Sequence, residues 1–428
     1  MRKVWWLAAI SAVLALAAGC HNSGHSQNST DMRTINAIAG GGAIDVLVDS
    51  DVKTSGLAYG ATSPFSEFDS GSREVVLRAT SSQAIYYDKT ISLGSGANTT
   101  LIAYGTPASV QALPLDDSST SPSSSADFKI RVVDASSDAA AVDAYVTQAT
   151  DITNTAPTFS SALLGVATAY AESPAGNYQL VFTLAGTKDI LFQAAAPQNL
   201  SAGVSYTLVM VASGGGKLAN AVLYAQGSGG AATYLANPNG RLKAVNAVPD
   251  STVLTYKADG ATLLSSVPFG GTSSYVPLTS GTRNLTLEAS NVPGVTIASL
   301  AQQVASARDY TAIAVNNLAQ VQLIAFTDDN TLPGAGLAKI RYVNAQVGST
   351  AVDVLLNFAG QVSGLAYASA SSYYQVTPST TYTISFATPG GVTVIATAYP
   401  VELDAGAVYT AYLIGTATAA QIRLVRDR

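Results

Sequence analysis

From about residue 30 onward, apolar residues come in short runs rich in Val, Ile, Thr, Tyr and Leu. Clusters of Gly, Ser, Pro and Asn separate them. Such runs read as β-strands, and the clusters between them as turns. Outside the N-terminal segment no stretch holds an apolar period of 3.6 residues long enough to make a helix. Turns every ten residues or so predict about six to eight strands per hundred residues, an antiparallel sandwich rather than an α/β fold.

The runs also repeat. Apolar, basic, any residue, Ile or Val, Asn or Asp, then Ala occurs at 32–37, 130–135, 242–247 and 340–345. The basic positions Arg33, Arg131, Lys243 and Arg341 are separated by 98, 112 and 98 residues. That period exceeds any solenoid repeat and fits tandem independent domains. Nine residues after each Asn or Asp, a second apolar run is centred on Asp45, Asp143 or Asp353, with Thr255 in the third copy. Further on, SYTLVMV, DYTAIAV and VYTAYLI each open a strand with Tyr-Thr. These marks divide the chain into repeats at 32–116, 127–227, 240–328 and 337–428. The segments 116–126, 226–240 and 328–336 are rich in small and polar residues and read as linkers.

The phrase Arg-x-Val-Asn/Asp-Ala, followed by Val-Asp-x-x-Val, LAYG or LAYA, and Gly-x-Tyr-Thr, resembles the domain-of-unknown-function 4397 family. The resemblance covers most of residues 32–428 and is weakest in the third copy. It implies four tandem immunoglobulin-like antiparallel β-sandwich domains in an exported bacterial protein, and brings no catalytic residues with it.

Three sets of residues invite a structural role. Arg33/Asp45, Arg131/Asp143 and Arg341/Asp353 are each 12 apart. On successive strands they would form cross-strand ion pairs that set register, worth about 0.2–1 kcal/mol each. Tyr206, Tyr310 and Tyr409 stand where a tyrosine corner would tie a strand to nearby backbone. Asp116, Asp117, Asp328 and Asp329 fall at domain junctions, where clustered carboxylates would suit calcium. The second copy has Gln226-Gly227 there instead, which favours solvated turns.

Catalytic chemistry is poorly supplied. The only histidines, His21 and His25, and the only cysteine, Cys20, precede the repeats. Serine or cysteine triads and histidine zinc sites are therefore excluded from the repeats. Glutamate is scarce and no glycine string opens a helix, so no enzyme activity and no cofactor are expected. Sugar binding through stacked rings is the alternative. Both tryptophans lie at positions 5 and 6, leaving the pairs Tyr86-Tyr87 and Tyr373-Tyr374 as platforms.

The N-terminus supplies the address. Arg2 and Lys3 precede an apolar run too short for a comfortable membrane span, which ends in LAAGC. Residues 1–19 resemble a bacterial lipoprotein signal, and Cys20 is the expected lipid attachment (palmitate) site. Residues 20–31 read as a polar tether. His21 after the cysteine, where an aspartate would retain the protein at the inner membrane, points to the outer membrane. Without Arg2 and Lys3 the chain keeps 19 basic against 27 acidic residues. No basic run follows a phosphate backbone, so nucleic acid is not an expected partner. The expected protein is lipid-anchored, with a non-enzymatic interaction, adhesion or spacer role toward an unidentified protein or glycan. Four beads of about 35–40 Å on jointed linkers would reach about 150 Å from the membrane.

Overall fold

The computed structural model describes residues 29–118, 121–227 and 229–428. The signal segment, Cys20 and most of the tether lie outside the described residues. The tether's last residues do not: the first strand runs Ser29–Ile38, with Thr30 fully buried.

Each repeat is a two-sheet sandwich, with the same strand order in every copy. In the first, Ser66–Asp69, Ser29–Ile38, Asn98–Gly105 and Gln111–Asp116 form one sheet. The other contains Asp51–Leu57, Ile44–Val48, Gly71–Ala79 and Ile85–Leu93. The second repeat extends its opening sheet with Ala232–Leu235, drawn from the segment read as a linker. The sandwich is not purely antiparallel. In all four copies the opening strand pairs parallel with the Tyr-Thr strand, or with its Thr99-Thr100 counterpart in the first copy, as Met32 with Thr99 and Ile340 with Tyr409. A parallel pair needs a long crossover, and the strands of the second sheet supply it.

The central two strands of the opening sheet explain the larger arrangement. In the first repeat Met32, Ile38, Leu101 and Ala103 point into the repeat's own core. The alternate residues Ile35, Ala37, Ile102 and Tyr104 point outward. They meet Val133, Ala135, Val209, Val211, Val222 and Tyr224 of the second repeat in one apolar cluster. The third and fourth repeats do the same, through Val245, Ala247, Ile313 and Val315 against Val343, Ala345, Tyr412 and Ile414. A sheet apolar on both faces must bury both, and a second sheet is the simplest cover.

The repeats are therefore not beads on a jointed string. They are fused face to face as first with second and third with fourth. The two pairs then meet through polar contacts: the Arg308 guanidinium donates to the Gly214 carbonyl at 2.7 Å, and Arg428 bonds to Asp138 at 3.2 Å. The linkers share in this packing, with Asp117 and Asn330 fully buried and Asn237 at 3% exposure.

Small-angle scattering of residues 21–428 checks this directly. A 150 Å rod would have a radius of gyration of about 43 Å, and a fully compact chain of this size about 21 Å. Face-to-face pairing predicts a value below about 30 Å. A value near that of the rod would dissolve the pairs.

Candidate functional site

The cation of the repeated motif sits on the opening strand, two positions before the first residue that packs on the neighbouring repeat and so on the same face. Its side chain therefore points into the seam between paired repeats. Arg33, Arg131, Lys243 and Arg341 are all buried, at 2, 8, 1 and 1% exposure. A buried charge needs partners.

In the first seam both arginines converge on Asp117. Arg131 Nη2 donates to Asp117 Oδ1 at 2.7 Å, and Arg33 Nη2 lies 3.6 Å from Oδ2. The Arg33 guanidinium also donates to the carbonyls of Gly230 at 2.7 Å and Ala225 at 3.1 Å. Each Nε donates to the threonine of its own Tyr-Thr strand: Arg33 to Thr100 at 2.8 Å, Arg131 to Thr207 at 3.0 Å. Rings cover the cations. Phe65 and Tyr224 lie 4.6 and 4.5 Å from the Arg33 Cζ, and Tyr170 lies 5.1 Å from that of Arg131. Burial pushes the Asp117 carboxyl up, opposed by the Thr100 hydroxyl, Arg131 and Arg33.

The second seam repeats the plan with more carboxylates. Arg341 Nε donates to Thr410 at 3.0 Å, and its Nη2 donates to Asp328 Oδ1. Thr311 and Tyr275 donate to Asp328 Oδ2 at 2.6 and 2.5 Å. Lys243 pairs with Asp427, which also accepts from Thr410 at 2.5 Å. Burial works against the Lys243 ammonium, but Tyr412, Asp427 and Asp328 outweigh it and raise its pKa. Tyr275 and Tyr373 cap this seam as Phe65 and Tyr170 cap the first.

Several readings of the sequence are corrected here. Arg33/Asp45, Arg131/Asp143 and Arg341/Asp353 do not pair, because the two strands that carry them lie in opposite sheets. The aspartates instead tie turns. Asp143 accepts the amides of Ser161 and Gly186 at 2.8 and 2.9 Å, and Asp353 those of Gly364 and Gly390 at 2.8 and 2.7 Å. Asp45 accepts from the Gly56 amide and the hydroxyls of Ser55 and Thr80. Asp117 and Asp328 are occupied by arginines, so they are not open calcium ligands. Asp116 gives its carbonyl to Arg131, and Asp329 pairs with Lys339 at 3.0 Å. Among the described residues no cluster of three metal-ligating side chains occurs.

The proposed sugar platforms are also spent. Tyr87 is in the first repeat's core, and Tyr86 packs against that core. Tyr373 covers Arg341 and Lys339, and Tyr374 packs on the fourth repeat's core. The hydroxyls of Tyr206, Tyr310 and Tyr409 accept the amides of Ser201, Ala305 and Asp404, each at 3.0 Å. That contact five residues upstream is a tyrosine corner.

The chain belongs to the family described as Domain of unknown function (DUF4397), whose model matches residues 30–145, 128–233, 240–355 and 338–428. The first and third matches run on into the next repeat's opening strands, across each seam. No curated protein matches. Among solved structures the chain is similar to the Bacillus anthracis TIE protein, at 12% identity and a TM-score of 0.17. That match covers 90% of this chain and 68% of the other. At that score the likeness carries no argument about function.

Two outcomes test the assignments. Asp328→Ala strands the buried Arg341 and is expected to cost about 3–5 kcal/mol in urea unfolding; a cost below about 1 kcal/mol would mean the seam does not depend on that carboxylate. At Asp45, burial pushes the carboxyl up, but donors from Thr80, Gly56, Ser55 and Gln83 outweigh it and hold it at about 2, below the ordinary 3.8. Its folded pKa is depressed, so its contribution is complete above about 4 and is lost as pH falls through 2. Asp45→Asn should remove that part of the acid sensitivity, measured as unfolding midpoint against pH.

Proposed function

We propose that this chain is a lipid-anchored cell-envelope protein, held through Cys20 most simply at the outer membrane. Its four sandwiches act as a stiff, non-enzymatic interaction or adhesion body. The observation that carries this reading is the use made of the repeated polar residues. The motif's cations, the Tyr-Thr threonines and the strand-ending aspartates join sandwich to sandwich, and the motif's second aspartates tie turns. Among the described residues, these recurrent polar sets all serve joints and turns. Face-to-face pairing favours a compact presenting body over a long flexible spacer. It leaves outward the second sheet of each repeat, whose edge strands carry exposed Ile85 and Val394, at 63 and 56%. Unpaired edges of that kind suit strand addition by an extended polypeptide. The sugar-binding alternative has no observation in its favour, since its named tyrosines are taken up in cores and seams.

Labelling cells with a palmitate analogue tests the anchor. Wild type should carry label and sediment with membranes, and Cys20→Ser should lose both; equal labelling of the two would remove the lipid anchor. Protease shaving of intact cells then reads the face. Peptides from 32–428 released without lysis support an outward adhesion role, and release only after the outer membrane is opened limits the body to periplasmic partners.

A further inference from the structure

Three of the four opening motifs carry a buried asparagine, Asn36, Asn246 or Asn344, each fully enclosed. All three side chains do the same two things. The Oδ1 accepts an amide two residues on: Ile38 at 3.1 Å, Val248 at 2.9 Å and Gln346 at 3.3 Å. The Nδ2 donates to the carbonyl of Leu57 at 2.9 Å, Val267 at 3.0 Å or Leu365 at 3.1 Å. The second repeat has Asp134 at this position, also fully enclosed. Its Oδ1 accepts the Ser136 amide at 2.8 Å, as the asparagines accept theirs. Its Oδ2 stands in place of the donating nitrogen and has no partner.

The backbone at this point is superposable among the copies. The amides of Gly60, Gly165, Gly270 and Ala368 donate to the carbonyls of Asn36, Asp134, Asn246 and Asn344, at 2.7 to 2.8 Å. Counting back three residues puts the Ala162 carbonyl in register with those of Leu57, Val267 and Leu365. An ionised carboxylate here would present an acceptor to an acceptor inside an enclosed site, whereas a carboxylic acid would present an O–H.

We infer that Asp134 is carried as the neutral acid in the folded protein, its O–H replacing the asparagine N–H, and that its ionisation loosens the second repeat against its neighbours. The groups around it fit this role. Asp138, on the same turn, takes Arg428 Nη1 at 3.2 Å and the Leu332 amide at 3.3 Å from the other pair of repeats. Tyr104 approaches from the first repeat, its hydroxyl donating to Gln111 at 2.8 Å. Met210 and Leu164, the strand and bridge neighbours, bring no charge. Among the described residues the one charge acting on Asp134 is that of Asp138. Burial drives its carboxyl up, the Ser136 amide pulls it down, and the Asp138 charge adds to the rise, to about 7.

Linkage sets the direction. The folded pKa lies above the unfolded one, so the fold is favoured most below about 4 and loses stability as pH rises through 7. Asp134→Asn keeps a donor at every pH and should not share the loss. The experiment compares the full-length protein and Asp134→Asn, both in detergent, by urea unfolding from pH 4 to pH 8. The ratio of their unfolding constants should change by roughly 10²–10³-fold across that range, in favour of the variant as pH rises. A ratio that is flat with pH overturns the inference. Hydrogen exchange of wild type alone gives an independent reading if the variant does not fold. Protection of residues 162–165, corrected for intrinsic rate, should fall between pH 6 and pH 8, and unchanged protection would overturn the proposal.

Discussion

A strand buried on both faces has no wet face on which to put a charge, yet the opening strand of every repeat carries one. The rest of the architecture follows from how that cation is neutralised. Within its own sheet each arginine finds a threonine hydroxyl, Thr100, Thr207 or Thr410, which carries no charge. The opposite charge comes from the end of the closing strand: Asp117, just past it, for the first seam, and Asp328, its last residue, with Asp427, just past it, for the second. The seam closes only when two repeats bring cation, threonine, aspartate and aromatic cap together. The repeat is thus half of a unit, and the pair is the whole.

The two seams are not copies of one another. The second balances Lys243 and Arg341 with two carboxylates. The first sets Arg33 and Arg131 against Asp117 alone, because the second repeat's closing strand is followed by Gln226, whose amide donates to Thr207 at 2.9 Å. Arg33 makes up the deficit with two carbonyls and two rings, which a guanidinium can do and an ammonium does less well. Buried ion pairs seldom add much net stability, but they penalise wrong partners heavily. Exchanging repeats between the seams would leave a carboxylate or an arginine unmatched. The difference therefore sorts four similar sandwiches into two definite pairs.

Much of this was legible in the chain. Short runs of Val, Ile, Thr, Tyr and Leu between turn clusters mark the sandwiches, and the spacing of the opening motif counts four of them. The tyrosine corners were visible as Tyr-Thr at a fixed place. What the sequence hid was which residues face each other. Arg33 and Asp45 are 12 apart on successive strands, which suggests a hairpin, but the chain crosses to the other sheet between them. Spacing along the chain cannot report that crossing. The signal for pairing lies in the runs themselves: SYTLVMVA and IRVVDA are apolar at odd and even positions alike, and such runs are buried on both sides. Asp116-Asp117 and Asp328-Asp329 have the composition of solvated linker turns, yet one aspartate of each pair belongs to the seam.

Repetition here marks a mechanical task, because the same residues recur wherever the same joint is made. The departures from repetition then carry the individuality of each copy. Thr255 replaces a turn-tying aspartate, and a hydroxyl contact with Ser290 at 3.3 Å does less there. Gln226 replaces a seam carboxylate, and Asp134 replaces an asparagine that faces the interior of its own repeat. Two of these three changes fall in the second repeat, the sandwich that both Arg308 of the third repeat and Arg428 of the fourth reach across to bind. A repeat in that position is held by two interfaces at once. A small change in its turn geometry is felt at both, which makes it the natural place for the body to be tuned.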